Sequence, residues 1–191
     1  MSEAEELRLH RLPMGGVFAS KRPMQVSTLL GSCVAACLWD PEIRVGGMNH
    51  IQLPGRMQPG DDGLATRYGV HAMELLINRI MKLGGRKEAL HAKLFGGARM
   101  LGLSPGMIDI PEMNCSFTLK FLATEGITVE AFRLGGTQAM SVIFETATGK
   151  ALVRCVPRTQ DNKLMADEEA YETRIYRASH RKHPGGVSLF E

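Results

Sequence analysis

The stretch STLLGSCVAACLWDPEIRVGGMNHIQL, residues 27–53, decides how this chain is read. Residues 26–30 and 33–39 are apolar and β-compatible, and Gly31 and Ser32 part them. Asp40 and Pro41 follow, in the order a reverse turn favours for its first two positions. Residues 45–53 read as the returning strand. Centring the hairpin between Pro41 and Glu42 sets Cys33 directly opposite His50, with Cβ atoms roughly 4.5–5.5 Å apart. An imidazole there lowers a thiol's pKa by forming an ion pair with the thiolate. Gly31 lets the chain bend sharply and present backbone N–H groups beside the sulfur, where an oxyanion would form. Ser32 lies between that bend and the thiol. A hydroxyl or carbonyl must still fix the imidazole tautomer, and Ser27 and Thr28 are the local candidates.

Working outward, residues 54–63 are dense in turn formers. A helix is predicted over 64–83, where Val70, Met73, Ile77 and Ile80 recur at helical spacing before Gly84 and Gly85. Residues 89–95 alternate as a strand that ends at Gly96 and Gly97. A second helix is predicted over 112–124, a strand over 127–134, and a hairpin from 141–146 and 150–156. Residues 1–24 form a lead-in, with a short apolar patch at 16–19 and room for one edge strand. Strands at both ends with helices between them predict an α+β fold with a mixed or antiparallel sheet, not a doubly wound one. Residues 166–179 are charged and read as a solvated surface helix, followed by SHRKHPGG and VSLFE. The expected organisation is therefore a domain over 1–157 and a charged extension over 158–191.

Composition narrows the function. With 191 residues, 44% hydrophobic and 23% charged, the chain is long enough to bury a core without disulfides or a structural metal. A formal net charge of +3 is too small to argue for nucleic acid. The first residues carry no apolar run after a basic segment, and the longest apolar stretch is far shorter than a membrane span. Both point to the cytoplasm, where the four cysteines stay reduced. Cys37, Cys115 and Cys155 read as packing residues. Cys33 and Cys37 with one nearby histidine supply too few ligands for zinc, so no metal or cofactor is expected.

The runs LLGSCVAACLWDP and VGGMNHIQLP resemble the signature of the CheD family of chemoreceptor glutamine deamidases. KLFGGARM (93–100), IPEMNCSFTLKFLATEG (110–126, with Asn114 near its start) and LGGTQAMSVIFETATGKALVR (134–154) resemble further family segments, in order, over about residues 16–156. The resemblance implies an α/β/β/α layered sandwich with mixed sheets, similar to the cytotoxic necrotizing factor toxins. It implies conversion of selected glutamines of methyl-accepting chemotaxis receptors, in their cytoplasmic helical region, to glutamate with loss of ammonia. It also implies a second possible partner, a CheC-type response-regulator phosphatase. Carried over by position, Cys33 is the nucleophile and His50 the base. The family's third residue, a threonine six places before the cysteine, falls on Ser27. Thr28, one place off, is expected to point to the other side of its strand.

Overall fold

The computed structural model describes residues 7–53, 64–100, 109–157 and 161–179. Among these residues nine strands form two sheets. The four-stranded sheet has the order β1 (Leu9–Arg11), β3 (Gln25–Leu30), β8 (Met140–Glu145) and β9 (Ala151–Cys155). The five-stranded sheet has the order β2 (Val17–Ser20), β5 (Val45–Asn49), β4 (Val34–Asp40), β6 (His91–Gly96) and β7 (Thr128–Leu134). Both are mixed: β1–β3 and β6–β7 are parallel, and the other neighbours are antiparallel. The α+β expectation holds. The lead-in supplies two short strands, one to each sheet, where a single edge strand was expected.

Strand alternation divides the core into two layers. Ala36, Leu38, Val45, Ile51, Leu90, Ala92 and Leu94 pack against α1 (Leu64–Lys82) and α2 (Ile110–Thr124) on one face of the five-stranded sheet. Cys33, Ala35, Cys37, Trp39, Met48 and Phe95 turn the other way and meet Val26, Leu30, Val142 and Phe144 of the second sheet. Cys37 is thus a core residue, as read from sequence. Lys93 shares the inter-sheet side instead of facing solvent; its Nζ donates to the Gly149 carbonyl at 2.7 Å and lies over the Trp39 ring.

Helix α2 starts two residues before the expected Glu112. Asp109 caps it by accepting the Glu112 N–H at 3.1 Å, and Pro111 sits in the first turn, where a missing N–H costs nothing. The third helix, α3 (Asp161–Ser179), is not merely a solvated face. Leu164, Glu168 and Tyr171 are all buried, because the helix lies across the end of the sandwich where β3 passes into β4. The expected loop over 54–63 and residues 180–191, HRKHPGG and VSLFE, lie outside the described residues.

Candidate active site

Residues 31–33 carry the chain from one sheet to the other. Their carbonyls are held from two directions, by the turn after β6 and by α2. Gly31 accepts from the Ala98 N–H at 2.7 Å, Ser32 from Asn114 Nδ2 at 2.8 Å, and Cys33 from the Gly97 N–H at 2.7 Å. In a trans peptide the N–H points opposite to its carbonyl. Fixing the Gly31 and Ser32 carbonyls therefore turns the N–H groups of Ser32 and Cys33 together to the other side, beside the thiol. Asn114, fully buried, also accepts the Leu53 N–H at 2.8 Å and so joins this corner to the chain beyond β5. Gly96 and Gly97 complete the clamp. Both have positive φ, and a Cβ on Gly96 would stand 2.1 Å from the Cys33 carbonyl oxygen. The glycine pair in KLFGGARM is thus required by close backbone approach.

The β4–β5 hairpin has a different register from the one expected. Asp40 pairs with Val45 across a four-residue loop, so the hairpin is centred between Glu42 and Ile43, one residue later than expected. The Asp40 carboxylate accepts the N–H groups of Glu42 and Ile43, and Arg44 closes the loop at φ 59°. The shift is two positions, so side-chain parity survives. Val34 faces Ile51, and Cys33 lies diagonal to His50 rather than directly opposite it. Both still belong to the inter-sheet side. The returning strand also ends at Asn49, short of the expected 53. Asn49 Oδ1 takes the Ala36 N–H at 3.0 Å, and the His50 backbone bonds instead to Gly15 and Gly16.

His50 is almost fully buried, 3% exposed. Its Nδ1 lies 2.7 Å from Thr28 Oγ1, and Thr28 Oγ1 donates its single hydrogen to the Leu12 carbonyl at 2.9 Å. The hydroxyl must therefore accept from the ring, which places the proton on Nδ1 and leaves a lone pair on Nε2. Nε2 is buried with no hydrogen-bond partner among the described residues. Burial lowers the His50 pKa to about 4, so the imidazole is neutral at neutral pH. The position-based assignment of Ser27 as the orienting residue is corrected here. Val26, Thr28 and Leu30 point between the sheets, while Ser27 takes the opposite parity and faces the outer side near Ser141 and Ile143.

The thiol of Cys33 is fully buried, 3.6 Å from Gln52 Oε1 and 3.4 Å from Glu168 Oε1. Burial, and after it the Glu168 carboxylate, push its pKa well above the ordinary thiol value. Sequence reasoning missed both neighbours. Gln52 has the same parity as His50, a signal visible once the register is known. Glu168 had none, since it lies 135 residues away.

An α+β sandwich with a buried thiol and an unpartnered imidazole nitrogen on the inner side of one sheet defines the class of protein. The sequence profile described as CheD chemotactic sensory transduction matches residues 52–155. A "Probable chemoreceptor glutamine deamidase CheD" of Vibrio vulnificus (strain YJ016) is 41% identical over 178 residues, covering 89% of this chain and 82% of that protein. "Probable chemoreceptor glutamine deamidase CheD 1" of Ruegeria sp. (strain TM1040) is 46% identical over 166 residues, covering 86% and 85%. The chain belongs to the CheD family. A solved Bacillus licheniformis structure, hypothetical protein YfiH, covers 74% of this chain and 71% of its own at 16% identity and a TM-score of 0.38, too loose a likeness to bear on the site.

Proposed function

We propose that this protein is a chemoreceptor glutamine deamidase working through Cys33, His50 and Thr28. The observation that carries the reading is His50 Nε2: a buried lone pair without a partner among the described residues, on the same side of the sheet as the Cys33 thiol. A buried polar atom left unsatisfied is costly unless something reacts or binds there. Family membership and the printed names of the relatives support a chemoreceptor glutamine as the substrate, and our reading places it in the receptor's cytoplasmic helical region. No helix among the described residues is long and apolar enough to cross a membrane.

Cys33, deprotonated by His50 Nε2, attacks the δ-carbonyl of the glutamine. The Ser32 and Cys33 N–H groups face the developing oxyanion. His50 then returns the proton to the departing ammonia and next takes one from water, which hydrolyses the thioester. Thr28 keeps Nδ1 protonated throughout, so that Nε2 always faces the reaction. The test is to incubate the chain with a receptor cytoplasmic fragment and read one added mass unit per converted glutamine. Gain with the wild-type chain and none with Cys33→Ala is expected. No gain in either, or equal gain in both, overturns the reading.

A further inference from the structure

Helix α3 puts a carboxylate where the chemistry needs a substrate. Glu168, 6% exposed, has Oε1 3.0 Å from the Ser32 N and 3.4 Å from Cys33 Sγ, and Oε2 2.6 Å from Ser32 Oγ. The Cys33 backbone N–H also favours its charged form. One glutamate side chain thus meets the thiol and the same N–H groups that would hold an oxyanion. Glutamate is also what hydrolysis of a glutamine amide leaves behind.

The body of the protein is shaped to receive this helix. A Cβ on Gly31 would lie 2.7 Å from Glu168 Oε1, and one on Gly15 would lie 1.9 Å from the Tyr171 hydroxyl oxygen. Leu164, four residues before Glu168, packs with Ala139 and Val156. Tyr171, three residues after it, hydrogen bonds the Tyr68 hydroxyl. Offsets of minus four and plus three place all three side chains on one helix face. Beside them a cavity of about 540 Å³ is lined by Thr28, His50, Leu164 and Tyr171. Stability does not explain the arrangement. Burial pushes both the Glu168 carboxyl and the Cys33 thiol towards their neutral forms, and an apolar side chain would fill the same space without that cost.

We propose that α3 is a built-in product mimic, lying in the groove that receives the substrate helix and presenting Glu168 as a receptor helix presents its glutamine. The proposal rests on the deamidase reading and adds the substrate's form. The glutamine is carried on a helix, with an aliphatic residue four positions before it and an aromatic one three positions after. Receptor and α3 exclude each other, so activity requires α3 to leave.

Glu168→Gln in the full-length chain tests this directly, because it turns the mimic into a substrate. Its carbonyl oxygen keeps the Ser32 N–H, and its amide nitrogen faces the Ser32 hydroxyl. Cys33 Sγ bonds to the δ-carbon, the C–N bond breaks, and ammonia leaves with a proton from His50. Water then cleaves the thioester and restores the thiol. Peptide mass spectrometry is expected to find glutamate restored at position 168, and the amide intact when Cys33→Ala is added. In parallel, Glu168→Lys and Glu168→Ala should free the site. Each should alkylate Cys33 with iodoacetamide about tenfold faster than wild type and raise kcat/KM on a receptor fragment by a similar factor.

An amide that persists at position 168 in the Glu168→Gln chain, or unchanged alkylation in both release variants, overturns the proposal. If wild type converts receptor glutamines while either of those results holds, the deamidase reading stands and the mimic falls. If position 168 is converted but no receptor fragment is, the receptor reading fails and the mimic stands.

Discussion

The corner at residues 31–33 and the helix α3 meet at one thiol, yet they are held in opposite ways. Every carbonyl of the corner is bonded, two by the adjacent N–H groups of Gly97 and Ala98 and one by Asn114 on α2, and glycines at 96 and 97 let the chain close on it. Helix α3 is held at this end of the sandwich through the side chains of Leu164, Glu168 and Tyr171. Reacting groups must keep their geometry between turnovers, whereas whatever covers them must be exchangeable. The contrast teaches that the catalytic geometry belongs to the backbone, and access to it belongs to a few side chains.

Substitutions on the corner side test that division, beginning with the largest effect. Cys33→Ala is expected to lower receptor deamidation by at least roughly a thousandfold, read by mass, with the fold retained. Asn114→Ala leaves the Ser32 carbonyl and the Leu53 N–H unsatisfied in the interior. It should cost about 2–4 kcal/mol, measured by urea unfolding, and a smaller loss would mean that the corner is less firmly tied than its bonds imply.

His50 gives a pH signature. Its folded pKa, about 4, is depressed below the ordinary histidine value, so the unfolded chain binds the proton first. Its contribution is fully present above about pH 6.5 and is lost as pH falls from there towards 4, to the order of 3 kcal/mol. His50→Gln should flatten that part of the stability curve; an unchanged slope would show that the ring is not buried neutral. Thr28→Val removes the acceptor of the Nδ1–H while keeping the side-chain shape. A fall in kcat of on the order of tenfold with KM little changed is expected. Ser27→Ala, on the outer face, should change kcat by less than about twofold. A reversal of these last two would restore the assignment made by position.

Much of the site was legible because it is local. The runs either side of Asp40 and Pro41, the bend at Gly31 and the facing histidine all sit within residues 27–53. Period-two alternation placed Cys33 and His50 on one side of the sheet even though the hairpin is centred one residue later than expected. The same alternation gives Thr28 and Ser27 opposite sides. It could not say which side faces the imidazole, because β3 and β5 belong to different sheets.

The sequence by itself determined the fold class, the family and the shared strand parity of Cys33 and His50, since periodicity, turn chemistry and short-range order express these within a few dozen residues. Only the tertiary structure decided that Thr28 holds the ring, that Asn114 and Ala98 aim the peptide groups, and that Glu168 stands against the sulfur. Those contacts join segments from 22 to 135 residues apart. Nothing in local pattern encodes such distances; they arise where two sheets, a helix cap and a crossing helix are packed around the same few ångströms.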